Sequence, residues 1–365
     1  MSFSLNNITY QAQFFRIYNP SDKKKFDDLV ASTKYLSICD EIQSQLEELI
    51  ELRNPSCELT INELKQKVLS QLKEKSINEY GVWVFYPWSN RLVHLLDEKE
   101  FIEVRTNRNK NKISEEEQQT LLTKKIGVIG LSVGQSVAVT IAMERVCNEI
   151  VLADFDTLEL SNLNRIRTGV HNLGVKKVVA VAREISEIDP FIKVHCFIDG
   201  INEHNIDSFL KHNDQLDLVI DECDDFGIKI LTRLKAREYG IPLLMEASDR
   251  GCIDIERYDL NDKLPIFHGL LDDSKLDISI LRELSKAEMI EMIFKVHPPE
   301  TLSLRLKESM AQIGKTIKTW PQLASSVVLG GAITTNVCRR LMLDEMLVSG
   351  RYFVDLYELI PDSKT

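Results

Sequence analysis

The chain has 365 residues, 44% hydrophobic and 28% charged, with a formal net charge of -11. That size allows one large domain or two unequal ones, and the composition is that of a globular protein with a sizeable core. The acidic balance argues against nucleic acid as the main ligand, because phosphate backbones need clustered Lys and Arg; a local basic pocket for a nucleotide stays open.

The opening stretch MSFSLNNITY lacks the basic start and apolar run of a secretory signal. Residues 37–53 space their apolar side chains near helical period and stop before Asn54-Pro55, which predicts one helix. Residues 80–96, YGVWVFYPWSNRLVHLL, are aromatic and β-branched around a Pro87-Trp88-Ser89-Asn90 turn, which predicts two strands. A polar bridge begins at Arg105, and Ser114 with Glu117 is a capping box that starts a helix. From Lys124 strands and helices alternate: KKIGVIG, a helix over 136–147, EIVLADFD, and a helix over 175–188. KVHCFIDG, DLVIDECDD and PLLMEASD supply further strands, residues 272–300 look helical, and 323–343 form a helix rich in small residues. The apolar run 126–143 is punctuated by Gly127, Gly130, Ser132, Gly134 and Gln135, which suits strand, turn and helix better than a bilayer span.

The fold class expected is α/β, a Rossmann-like, mostly parallel sheet with helices on both faces. It spans residues 104–365, preceded by a smaller α+β region over 1–103. The seven cysteines form no C-x-x-C pair, so neither a structural zinc site nor a disulfide framework is indicated, and a cytoplasmic location is expected.

Gly130-Leu131-Ser132-Val133-Gly134 stands between a strand and a helix, where a phosphate loop needs small residues and a helix N-terminus attracts anions. Asp154 follows 24 residues after Gly130, near the spacing of an acid that holds a ribose hydroxyl. These two features leave NAD and ATP both open. The next segment, Ser161-Asn162-Leu163-Asn164-Arg165-Ile166-Arg167 with Lys177 beyond it, is dense in polar and cationic groups. Such groups suit a triphosphate, because Arg and Lys neutralise charge building on a pyrophosphate leaving group. The strand ending Asp221-Glu222-Cys223-Asp224-Asp225 puts carboxylates at the sheet's carboxyl edge, where Mg²⁺ can lie between acid and phosphate. Some of the four must be solvated or cap the next helix.

GLSVG, ADFDTLELSNLNR with its later Lys, and DECDD together resemble the ThiF-type and ubiquitin-activating adenylyltransferases, over residues 104–365. The YPWSNRLVHLL block, RTNRNK and EASDRGCIDIERYD resemble the bacterial branch often fused to a nitroreductase-like domain. The resemblance implies ATP-dependent adenylation of a carboxylate, ATP and Mg²⁺ as cofactors, and a homodimer. The substrates it implies are a ubiquitin-like carrier's C-terminus or a peptide. By position it places Gly130, Ser132 and Gly134 along the adenylate and Asp154 on the ribose, with Asp156, Ser161 and Asn164 in the same nucleotide-binding set. Asn162 and Arg165 are expected on phosphates, Lys177 on the pyrophosphate, and Asp224 on the metal ion. Asp225 stands where the family usually has Asn, and Ser132 where it usually has Gly. Arg105 or Arg108 matches an arginine that in relatives reaches a partner subunit's site; the other reading is that both solvate a linker.

Ubiquitin-activating relatives pass the acyl group to a cysteine after the adenylation strands. Residues 253–337 contain none, so adenylation without a built-in thioester step is expected, with Cys223 and Cys252 structural. His268 is read as structural as well. Two other functions stay in play: an NAD(P)- or FAD-dependent oxidoreductase of Rossmann type, and an inactive scaffold subunit of an activating enzyme.

Overall fold

The computed structural model describes residues 8–73, 75–273, 276 and 285–361. The chain divides into two compact units, Met1–Glu116 and Glu117–Thr365.

In the first unit β1 (Gln13–Phe15), β2 (Ser37–Asp40), β3 (Val82–Tyr86) and β4 (Arg91–Leu95) form a sheet of order β1-β3-β4-β2. β3 and β4 pair antiparallel about the turn that Pro87 to Asn90 marked, with Tyr86 opposite Arg91. The single helix expected over 37–53 is corrected: Ser37–Asp40 runs parallel to β4, and the helix is Ile42–Arg53. The side chains that bury on it, Ile42, Leu46, Leu49 and Ile50, repeat at helical spacing only from Ile42. Upstream of that point the Asp40 carboxylate meets His94 Nδ1 of β4 at 2.8 Å, which favours the extended pairing. The polar bridge is also corrected at its start, since Arg105 ends the helix Glu98–Arg105, capped by Asp97. The next helix, Glu115–Leu121, begins where the capping signal put it, with Ser114 Oγ bonded to the Glu116 carboxylate at 2.9 Å.

In the second unit seven strands follow, β5 (Lys125–Ile129), β6 (Glu149–Ala153), β7 (Lys193–Phe197), β8 (Leu218–Asp221), β9 (Leu243–Ala247), β10 (Cys252–Glu256) and β11 (Gly350–Phe353). Their order is β11-β10-β9-β8-β5-β6-β7. The five strands from β9 to β7 are parallel, and β10 and β11 extend one edge antiparallel. The chain leaves β5 toward β6 and returns to β8 on its other side, so the strand order reverses at the carboxyl ends of β5 and β8, where open α/β sheets form crevices. Gly127 faces Phe209 and Leu216, whereas the next residue, Val128, faces Gly134. Neighbouring strand residues point to opposite faces, so helices cover both. The helix Gly134–Glu144 packs against Lys177–Ile188 and Ala324–Met342. It starts two residues before the expected 136–147 span and ends three residues short of it, because Arg145 turns left-handed (φ 56°) and buries against Asp189. β11 had no counterpart in the sequence reading. Of the helical stretch expected over 272–300, Lys286–Val296 is a helix; 274, 275 and 277–284 lie outside the described residues. No helix among the described residues is long and apolar enough to cross a membrane.

Charge is buried deliberately behind β8. Arg233, fully buried, meets Asp221 at 2.6 Å and Glu256 at 2.8 Å, with the Phe267 ring 3.9 Å from its guanidinium carbon. Burial pushes the Asp221 carboxyl up, but Lys229 and Arg233 outweigh it and hold it below its usual range. Removing one partner of a buried network strands the others without solvent. Arg233→Met should therefore lower unfolding stability by about 3–5 kcal/mol in urea titrations; a loss within error would refute this account.

A second buried pair behaves oppositely. Glu222 Oε1 accepts from the Glu246 backbone N–H at 3.0 Å, and both side chains are buried at the carboxyl edge. Burial raises both carboxyls, Glu222 further through Glu246's charge, and Glu246 is pushed up to about 8. The folded state thus holds a proton that the unfolded chain releases near 4.5, and this contribution to stability is lost as pH rises through about 8. Glu246→Gln should flatten the fall of urea midpoint with pH across that window; superimposable wild-type and variant profiles would refute it.

Candidate functional site

Gly130 follows β5 with φ +85°, and its N–H reaches Ala153 O at 2.8 Å. A Cβ there would lie 2.6 Å from Cys223 N and from Glu222 C and O, so the end of β8 needs glycine at this point. Leu131 N–H donates to Asp154 Oδ2 at 2.7 Å, and Asp156 N–H donates to Asp154 Oδ1 at 2.7 Å. One buried carboxylate thereby joins the glycine loop to the end of β6. Burial raises Asp154's pKa, opposed by those two backbone bonds and by the Lys177 charge.

Lys177 opens the helix Lys177–Ile188. Its Nζ lies 2.7 Å from Asp156 Oδ2, and its N–H bonds Asp156 O at 2.9 Å. The lysine is buried while its partner carboxylate is half exposed. Arg165 is half-buried, with Nε donating to Ser132 Oγ at 3.0 Å and Nη1 to Asn164 Oδ1 at 2.9 Å. Burial lowers its pKa, and the charge of Asp224 raises it, so Asp224 acts on this guanidinium from an exposed position. Gly134 starts the helix Gly134–Glu144, whose N-cap Val133 supplies no side-chain bond to the first-turn amides. Such amides attract anions.

The structure thus gathers Ser132, Asn164 and Arg165 into one group, with the charge of Asp224 felt at the guanidinium, and Asp154, Asp156 and Lys177 into another around Leu131. Other expected residues are engaged locally. Asn162 is buried, its Oδ1 accepting from Glu159 N–H at 3.0 Å in a reciprocal cap of the turn Leu160–Asn164. Asp225 caps the helix Phe226–Glu238 through a 2.9 Å bond from Ile228 N–H. Ser161 is exposed. Arg105 and Arg108 belong to the unit Met1–Glu116, Arg108 in the turn Asn107–Asn109. Gln135, which the sequence marks only as a polar interruption of the apolar run, is fully buried and bonds Glu184 at 2.7 Å and Arg167 O at 3.2 Å. A glutamine inside an otherwise apolar helix was its available signal. Cys223 donates to Asp221 Oδ1 at 3.0 Å, and burial, then Asp221, push its thiol well up. Burial pushes the Cys252 thiol up to about 12. His268 lies 3.5 Å from Asp254, which also pairs with Arg351.

The ThiF family model matches residues 105–252. The chain is 40% identical over 291 residues to Uncharacterized protein MT1398 of Mycobacterium tuberculosis (strain CDC 1551 / Oshkosh), covering 80% of this chain and 40% of that protein. It is 25% identical over 221 residues to tRNA threonylcarbamoyladenosine dehydratase 2 of Saccharomyces cerevisiae (strain ATCC 204508 / S288c), covering 58% and 47%. To Ubiquitin-like modifier-activating enzyme 5 of Culex quinquefasciatus it is 24% identical over 136 residues, 34% of each. The chain therefore spans less than half the length of each of these relatives. With the glycine loop, Asp154, Arg165 and Lys177 all inside the matched segment, residues 105–252 are of the ThiF type.

Proposed function

We propose that this chain adenylates a carboxylate with ATP, releasing pyrophosphate and leaving an acyl-AMP for an external acceptor. The observation that carries the reading is Arg165 bonded to Ser132 of the glycine loop, with the charge of Asp224 acting on it, beside an uncapped helix N-terminus at the point where strand order reverses. Cationic and amide donors there suit phosphate oxygens. In the reaction a substrate carboxylate oxygen attacks the α-phosphorus, and the bond to the pyrophosphate oxygen breaks. Arg165 and Lys177 neutralise the leaving pyrophosphate, with Asp156 holding Lys177 until the triphosphate competes for it. The nucleophile is already ionised, so no general base is required.

Mg²⁺ fits the same reading, since Asp224 offers an exposed, hard carboxylate oxygen that is not consumed by a cap or a buried ion pair. Bound there with ATP, the ion supplies charge neutralisation. The raised thiols of Cys223 and Cys252 favour adenylation without an internal thioester. The carboxylate is that of a ubiquitin-like carrier or a peptide; the names of the relatives add a tRNA-borne group as the competing class. We further propose that residues 1–103 recognise the substrate and that the chain acts as a homodimer.

Exchange of labelled pyrophosphate into ATP should require Mg²⁺ and a carboxylate from one of these classes. Asp224→Ala, Arg165→Ala and Lys177→Ala should each slow it by about 10²–10³-fold, while Cys252→Ala leaves it unchanged. Hydride transfer with a retained nicotinamide or flavin would replace this reading with the oxidoreductase. ATP binding without exchange for any carboxylate would replace it with the scaffold subunit.

A further inference from the structure

At the other end of the parallel strands, three side chains with metal-ligating atoms converge. Glu149 is the first residue of β6, His195 lies in β7, and His212 opens the turn His212–Asp214. Glu149 Oε1 is 3.5 Å from His195 Nε2 and 3.8 Å from His212 Nε2. The two imidazole rings are 4.3 Å apart and tilted 52°. Both Nε2 atoms are shielded from solvent and have no hydrogen-bond partner among the described residues.

A hydrogen bond from either ring to the carboxylate would need about 2.7–3.2 Å. Both separations exceed that, so two buried nitrogens stay unpaired, which costs free energy unless something else satisfies them. The ligating atoms of all three residues lie within 4.8 Å of one another. A tetrahedral ion with bonds of about 2.0–2.1 Å sets its ligand atoms roughly 3.4 Å apart. The observed spacings approach this, and shifts of a few tenths of an ångström would close the nearer two.

We propose that Glu149, His195 and His212 bind one divalent transition-metal cation of the zinc class. Two imidazoles and one carboxylate form a donor set that suits zinc and disfavours magnesium or calcium, which take oxygen ligands. Asn213 Nδ2 donates to Glu149 Oε1 at 2.8 Å and orients the carboxylate, as outer partners of metal ligands do. Glu149 lies five residues before Asp154 along β6, roughly 16 Å at strand rise, so the ion is separate from the nucleotide site. β7 is an edge strand of the sheet. The ion would pin it, and the turn that carries His212, to β6.

The test is titration of the full chain, stripped with chelator, with zinc by calorimetry and with cobalt(II) by visible absorption. One equivalent should bind, with ligand-field bands of nitrogen and oxygen coordination and a zinc-dependent rise in Tm. His195→Ala and His212→Ala should each weaken binding by at least about 100-fold, beyond the range seen for outer-partner mutations, and abolish the Tm rise. Glu149→Gln serves as the conservative variant should either alanine fail to fold. Cys39→Ser with Cys57→Ser, which removes two exposed thiols, and Asp224→Ala should both retain the equivalent. Zinc affinity unchanged in the histidine variants, or binding lost with the two thiols, would overturn the assignment, as would no binding by the wild-type chain.

Discussion

The site depends on one carboxylate. Asp154 spends both oxygens on backbone N–H groups, one from the glycine loop and one from its own strand's continuation. The first bond fixes the loop after β5 over the end of β6. The second turns the chain so that Asp156 faces the start of the next helix and receives Lys177. A buried carboxylate is tolerated only where donors satisfy it, and here the donors are the segments whose relative position defines the crevice. Gly130 completes the constraint from the other side, since any side chain there would strike the backbone at Glu222 and Cys223. β5, β6 and β8 are thus locked together at their carboxyl ends by one acid and one missing Cβ.

Much of this was legible in the sequence for a physical reason. Strands covered on both faces read as short unbroken apolar runs, and KIGVI, EIVLA and LVID each ended at a residue with a distinct duty. What escaped was decided by partners distant in the chain. Ser37–Asp40 is exposed throughout, so no apolar pattern announced a strand; the edge of β4 and His94 recruited it. β11 likewise pairs with β10 across almost a hundred residues. Within the site, Asp154 and Arg165 bond to the glycine loop itself and Lys177 is held by Asp156, two residues on from Asp154. Asn162 and Asp225 turned out to serve their own backbone, because short polar side chains bond to neighbouring amides as readily as to a ligand.

The Glu149, His195 and His212 cluster escaped for the same reason in stronger form. No local spacing links residues so far apart, and a search for C-x-x-C pairs looks in the wrong place. Parallel pairing sets β6 beside β7, with His195 two residues beyond the register partner of Glu149, and the turn His212–Asp214 before β8 brings in the second histidine.

The run Asp221 to Asp225 shows how a repeated residue type acquires separate duties. Asp221 is the last residue of β8, and buried Arg233 and Lys229 keep it ionised. Glu222, one residue on, faces the opposite side and meets another acid, so burial favours its protonated form. Asp225 caps the following helix. Each of these three is committed to the fold by its surroundings. Asp224 is exposed, and its charge acts on Arg165, itself bonded to the loop serine. Of four neighbouring acids, the exposed one is therefore the one whose charge is left to act on Arg165.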